Sequence, residues 1–281
     1  IAMRGTGLLL NWQASFNPFF NKPSWQAIKD EPWSQQYSRL KDPDFKAQLL
    51  AEDNLPMAGD LQLLADLLAT AFTMQYEMGE GFDYEPTHEQ SIAAKAAALG
   101  MDPAEYAYDV MMRADGSAFI YFPILNYTDG NLDFLAPVLA SDDCVNSLSD
   151  GGAHCGTICD AAATTFMLEH WVRDRRNGRL SLENAIKRQC HDTASLYGLN
   201  DRGLIATDYL ADINIIDLPA IKLNKPWVAR DLPAGGKRLL QTAEGYRATV
   251  KSGVVTFKNG QFQRATPGGV IRGPRPAPAT A

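Results

Sequence analysis

In NSLSDGGAHCG, residues 146–156, a carboxylate, a pair of glycines and a histidine follow a short apolar run. The run Cys144, Val145, Asn146, Ser147, Leu148 is strand-like, and it delivers Asp150 onto Gly151 and Gly152. In parallel β/α proteins the C-terminal ends of strands face the ligand, and a Gly-Gly step lets the backbone bend away and leave the acid exposed. A carboxylate held there can take a proton from an attacking water or help hold a metal. An Asp-Gly pair is also a common turn, so the motif alone leaves both readings open. His154 either hydrogen-bonds the loop after the strand or touches substrate and orients Asp150. Asn126 and Tyr127 end the preceding apolar run, AFIYFPILNY, where they either hydrogen-bond a substrate or anchor the loop.

Other reactive side chains are arranged less tellingly. His88, His170 and His191 fall in or at the start of helical patterns, and the chain has no His-x-His pair. Cys155 and Cys159 form a C-x3-C spacing without a second pair, so buried thiols are a better reading than a zinc site. Arg173, Arg175 and Arg176 carry the guanidinium fork that suits a carboxylate, but on an amphipathic helix they read as a solvated face. Gly235, Gly236 and Lys237 lack the spacing of a phosphate loop.

The elements that must position Asp150 read as an α/β chain. RGTGLLLNWQ is a buried strand, followed by a Pro- and aromatic-rich stretch and three helices. One starts at Asp60 with Leu61, Leu64, Leu68 and Phe72 on one face; another spans 88–99 and ends at Gly100. The third has Asp102 as cap, Pro103 in the first turn and Glu105 three residues on, and stops near Gly116. Strand, loop, helix, strand from Ala118 to Asp150 is the rhythm of parallel β/α units. Further helices run from Ala161 to Arg176, closed by Gly178, and from a Ser181 cap with Leu182, Ile186 and Ala194 inward, to Gly198. The chain then turns all-β: DINIID, YRATVK and GVVTFK read as strands, and Asn259-Gly260 is a hairpin signal. The organisation expected is a β/α part over 1–202 with a helical insertion at about 20–116, a small β-sandwich at 203–262, and an extended Pro/Gly-rich tail at 263–281. A closed eight-stranded barrel needs about 250 residues. With three parallel strands expected, the first part resembles the end of one.

Composition sets the outer limits. A net charge of −7 with no long basic block excludes affinity for the phosphate backbone of nucleic acid. The most apolar helical run, LQLLADLLATAF, carries Asp66 and is too short for a bilayer, so no membrane partner is expected. Four cysteines in 281 residues are too few for a disulfide framework, which points to reduced thiols and a cytoplasmic compartment.

Several segments together resemble the amidohydrolase superfamily, and most closely its N-acyl-D-amino-acid deacylase branch. They are FIYFPILNYTDGNLDFL, SLSDGGAHCGTICDA, WVRDRR with LSLENAIKRQCHDTASLYGLNDRG, ADINIID, and DLPAGGKRLLQTAEGYRATVKSGVVTFKNG. GLLLNWQASFNPFF and DYEPTHEQSIAAKAAALGMDPAEYAYDV add to the likeness. The resemblance implies the C-terminal part of a metal-dependent (β/α)8 TIM-type barrel with a small β-sandwich. It implies that Asp150, at the end of strand eight, contacts the metal and its water, takes the proton during attack on the amide carbon, and passes it to the leaving amine. One or two divalent ions, zinc foremost, are implied as cofactor. Most of their ligands are expected outside this chain, because the first-strand His-x-His is not in it. The substrate implied is a small N-acyl-D-amino acid, a linear amide. The missing N-terminal half of the barrel or an oligomeric partner is implied as well, and this chain alone is expected to be inactive. Two alternatives stay open: a cyclic-amide hydrolase of the hydantoinase or dihydroorotase kind, and a non-catalytic module that depends on a partner.

Overall fold

A computed structural model describes residues 1–79, 81–148 and 155–279. Its centre is a sheet of three strands, β1 (Thr6–Leu10), β2 (Tyr76–Glu77) and β3 (Ile120–Leu125), in the order β1-β3-β2. Leu8, Leu9 and Leu10 pair with Phe122, Tyr121 and Ile120 in an antiparallel ladder. Side chains alternate across a strand, and the alternation here divides the interior in two. Leu9, Phe119 and Tyr121 join one core with Met3, Tyr84, Phe166 and Trp171. Leu10, Ile120 and Phe122 join the other, with Trp12, Phe19, Trp25 and Tyr108.

The expectation of parallel strands is corrected by this pairing. A strand buried on both faces reads the same in either direction, and a long helical connection imposes no direction on the return. β2 also pairs antiparallel with β3. The third expected strand, at 144–148, contributes one parallel bridge from Ser147 to Ala2. Leu148 then takes φ +70°, outside the extended region, which ends any longer ladder there.

The helical excursion forms α1 (Pro23–Ile28), α2 (Trp33–Leu40), α3 (Pro43–Ala51), α4 (Asp60–Thr70), α5 (Ile92–Leu99) and α6 (Pro103–Gly116). Its helix starts follow local chemistry. Asp102 Oδ1 accepts from the N–H groups of Ala104 and Glu105 at 2.8 and 3.2 Å, as the sequence pattern anticipates. Glu105 pairs with Lys46 at 3.1 Å instead of completing a capping box. The helix expected over 88–99 is a short 3-10 turn at His88–Gln90 and then α5, capped by Ser91 and stopped by Gly100 at φ +67°. Asp60 is the first residue of α4 instead of its cap, and Leu61 is 50% exposed, so only part of the expected stripe is core.

After β3 come α7 (Leu135–Ala140) and α8 (Ala163–Phe166), which runs on through a π-helical stretch, Met167–Asp174. α9 (Leu182–Lys187) is capped by Ser181 Oγ and leads through a second π-helical turn into α10 (Thr193–Leu196). Ala185 of α9 is buried, whereas Leu182, expected inward, is exposed.

β4 (Ile213–Ile216), β5 (Lys222–Leu223), β6 (Trp227–Ala229), β7 (Arg238–Leu240), β8 (Ala243–Glu244), β9 (Tyr246–Lys251), β10 (Val254–Lys258) and β11 (Gln261–Phe262) make up the β part. The sheet β11-β10-β9-β4 is antiparallel, with Asn259 and Gly260 both at positive φ in the hairpin turn. β5–β8 and β6–β7 are separate two-stranded ladders. Among the described residues no second sheet of that size closes a sandwich, and Ile215, Phe257 and Phe262 stay exposed. The tail is extended as expected but anchored, since Arg275 exchanges backbone hydrogen bonds with Gly198 and Asn200 at 2.7 and 3.0 Å. No helix among the described residues is long and apolar enough to cross a membrane.

Candidate functional site

β3 ends one residue before the candidates it was expected to deliver. Asn126 follows at φ +61°, a left-handed position that asparagine tolerates, and is half-buried. Tyr127 turns inward: it is buried, its ring meets Tyr76 edge-on, and its hydroxyl donates to the Pro86 carbonyl at 2.5 Å. Burial, then the neighbouring Tyr76 and Glu85, pushes the Tyr127 phenol above its ordinary pKa, so it stays a hydrogen-bond donor. Its geometry is that of a loop anchor. Gly5 permits the close approach on this side, because a Cβ there would lie 2.8 Å from the Tyr121 hydroxyl and 3.3 Å from Tyr127 Cβ.

Asp150 and His154 lie outside the described residues. Both flanks of their segment are held. On one side Ser147 N–H donates to Ile1 O at 2.9 Å, and the Ile1 amino group donates to Val145 O at 2.7 Å. On the other, Cys155 O accepts from Leu239 N–H at 2.8 Å, Gly156 O from Ser15 N–H at 2.8 Å, and Thr157 O from Leu9 N–H at 2.9 Å. Residues 1–5 therefore touch both the Tyr127 anchor and the entry to the Asp150 segment.

Two charged groups behind these loops escaped the sequence reading. Glu85 receives Arg175 Nε and Nη2 at 3.0 and 2.9 Å, His170 Nε2 at 2.6 Å and the Leu132 N–H at 2.7 Å. Burial alone would raise its pKa, but the hydrogen bonds from His170, Arg175 and Leu132 outweigh it and hold the carboxyl at about 2. Arg175 also reaches Asp133 at 2.5 Å and lies over the Trp171 ring. Its side chain is 5% exposed, which corrects the expectation of a solvated side chain at this position, whereas Arg176 is exposed as expected. Arg175 is the first residue past the π-helical stretch Met167–Asp174 and has already left the helix, at φ −59° and ψ 134°, so a helical-face reading does not apply to it. Arg173 likewise serves the fold, donating to the Leu218, Pro219 and Ile221 carbonyls.

Arg4, 3% exposed, pairs with Asp160 at 3.1 Å, donates to Cys159 O at 2.9 Å and lies 4.0 Å above the Tyr84 ring. Its Nε and Nη1 are buried without partners. Burial raises the Cys159 thiol to about 11 even with Arg4 beside it, so it is protonated at neutral pH. Neither Glu85 nor Arg4 sits in a periodic pattern, so nothing in the spacing marks them.

Among the described residues no group of three or more His, Cys, Asp or Glu side chains can hold a metal ion. His170 is committed to Glu85 and stacks on Phe166, His191 bonds Asp192 at 3.0 Å, and His88 lies against Gly130. The described donors therefore do not fit a metal centre.

With this geometry in place, comparison with known proteins identifies the class. A profile of the amidohydrolase family matches residues 4–257, and the chain belongs to that family. No curated protein sequence matches. Two solved structures are similar to it. One is a D-aminoacylase whose binuclear metal centre was studied, at 21% identity over 68% of this chain and 36% of that one, with a TM-score of 0.37. The other is a D-aminoacylase mutant in complex with copper chloride, at 20% identity over 71% and 38% of the two chains, with a TM-score of 0.38. This chain thus spans less than two fifths of either protein.

Proposed function

We propose that the chain is part of a hydrolase that cleaves the amide bond of N-acyl-D-amino acids, with Asp150 as its general base and acid. The observation that carries the reading is the amidohydrolase match across residues 4–257, inside which SDGG places an aspartate after a strand-like run. Asp150 takes the proton of the attacking water as its oxygen adds to the amide carbon, then delivers that proton to the departing amine. A carboxylate suits both roles because it is ionised before attack and a modest acid after it. His154 and Asn126 are proposed to hydrogen-bond the substrate, and Tyr127 to hold the loop that presents Asn126. A divalent ion, zinc by the resemblance, belongs to the reading as the group that brings the pKa of water to about 7, with ligands beyond Asp150 supplied from outside this chain. The barrel position of Asp150 and a complementary half of the barrel are proposed on the same ground.

The test is turnover by the complete protein that contains this chain. N-acetyl-D-amino acids should be hydrolysed, and hydantoins and dihydropyrimidines should not. Asp150→Asn should lower kcat by roughly 10²- to 10⁴-fold, the usual worth of a positioned proton-transfer group. Wild-type turnover by that variant overturns the assignment, and faster hydrolysis of the cyclic amides moves the substrate class.

A further inference from the structure

Two thiols that the proposed chemistry leaves unused meet at one cleft. Cys155 and Cys159, at the C-x3-C spacing, both line a cavity of about 350 Å³ between residues 155–162 and β7. Both are free and half-buried. They are near enough to interact. Burial first, with Asp160 and Cys155 adding to it against Arg4, pushes the Cys159 thiol up, and a coupling of this kind falls off with distance. The residues between the two sulfurs form a joint. Gly156 O accepts from Ser15 N–H at 2.8 Å and Thr157 O from Leu9 N–H at 2.9 Å, while Cys155 O accepts from Leu239 N–H. This short segment thus ties β7 to β1 and to the turn that follows β1. The chain bends at Gly156 and Thr157, and the bend is tightly packed, since a Cβ on Gly156 would lie 2.7 Å from Ser15 Oγ. A disulfide holds its Cα atoms about 4.4–6.8 Å apart, roughly half the ~13 Å that four extended residue steps cover. Closing a ring over residues 155–159 therefore tightens the bend and turns the Gly156 and Thr157 carbonyls away from their partners.

We propose that Cys155 and Cys159 form a reversible disulfide on oxidation by a peroxide, and that the bridge loosens the joint to β1. The Cys155 thiolate attacks one peroxide oxygen; the O–O bond breaks, and hydroxide leaves with the electron pair, giving a sulfenic acid on Cys155. The Cys159 sulfur then attacks that sulfur, the S–O bond breaks, and the Cys159 proton departs with the hydroxyl as water. One peroxide is reduced for each disulfide formed, and a thiol reductant reverses the bond by exchange. The order follows from protonation, because Cys159 is held as the thiol and Cys155 is left as the attacking sulfur. Cys144 instead donates to Val138 O at 2.9 Å, and Cys190 sits in the second π-helical turn. The inference rests on these two thiols and their joint and not on the hydrolase reading, and it is tested without turnover.

Mass spectrometry and amide hydrogen exchange of the 281-residue chain treated with stoichiometric hydrogen peroxide decide it. The intact mass should fall by that of two hydrogen atoms, peptide mapping should place the link between Cys155 and Cys159, and dithiothreitol should restore the reduced mass. In the oxidised chain the amides of Leu9 and Ser15 should exchange at least about tenfold faster, the factor that ~1.4 kcal/mol of lost protection produces. Cys155→Ser and Cys159→Ser should each abolish both the mass loss and the faster exchange, whereas Cys144→Ser with Cys190→Ser should keep both. A link through Cys144 or Cys190 overturns the proposal, as does a gain of oxygen without any link, or unchanged exchange at Leu9 and Ser15 in the linked chain.

Discussion

Arg175 shows how much one side chain holds together. It makes three hydrogen bonds to Glu85 and Asp133 while lying over Trp171, and it is nearly all out of solvent. Replacing it by Met keeps much of the apolar stem but strands Glu85, whose side chain is 14% exposed, without its main counter-charge. Removing one partner of a buried pair costs about 3–5 kcal/mol, far more than an exposed pair is worth. Arg175→Met should therefore lower the urea midpoint by that equivalent, and Arg175→Met with Glu85→Gln should recover part of it because the orphaned charge is gone. A loss below about 1 kcal/mol would place the pair with ordinary surface ion pairs. At this scale the sequence told unevenly. Asp102 and Ser181 declare themselves as caps by position alone, whereas Arg175 is read wrongly from a run of like charges and Glu85 is not read at all. Caps depend on neighbours in the chain; the Glu85–Arg175 pair depends on a contact across 90 residues.

At the scale of elements, Glu85 ties the segment before α5 to the π-helical stretch through His170 and to the loop before α7 through Leu132. This joint responds to acid in a definite direction. The carboxyl titrates at about 2 in the folded chain against an ordinary value of 4.5, so its stabilising contribution is complete above pH 4.5 and disappears as pH falls toward 2. The difference amounts to on the order of 3 kcal/mol. Chemical denaturation of the wild type and of Glu85→Gln across this range should give curves well apart above pH 4.5 that converge near pH 2. Parallel curves would mean that the joint carries no linked proton. The elements themselves were partly legible. β1 and β3 follow from apolar runs, β4 from alternation, and β9, β10 and the Asn259-Gly260 turn after them from strand-forming residues and turn chemistry. The direction of β1 against β3 does not, since pairing direction is not written in an apolar run. The π-helical stretches escaped because an inserted residue leaves composition unchanged and alters only phase.

For the whole molecule, the decisive feature is that a single thin sheet serves two cores. Leu9 and Tyr121 belong to the core of Trp171, and Leu10 and Phe122 to the core of Trp12. Neither core can open without exposing one face of the same strands, which couples their stabilities and favours a single cooperative transition. Gly7 is the sensitive point of that coupling. A Cβ there would sit 1.9 Å from the Phe122 carbonyl oxygen, a backbone atom that cannot step aside, so Gly7→Ala must push β1 away from β3. In 5-fluorotryptophan-labelled protein, the fluorine resonances of Trp12 and Trp171 should therefore lose intensity at the same denaturant concentration. Gly7→Ala should shift both midpoints downward together. Were the Trp12 signal to survive the loss of the Trp171 signal, the helical excursion would be a unit that folds without the sheet's far face. The organisation read from the sequence, a helical insertion hung on a β/α part, would then describe how the chain folds as well as how it is laid out.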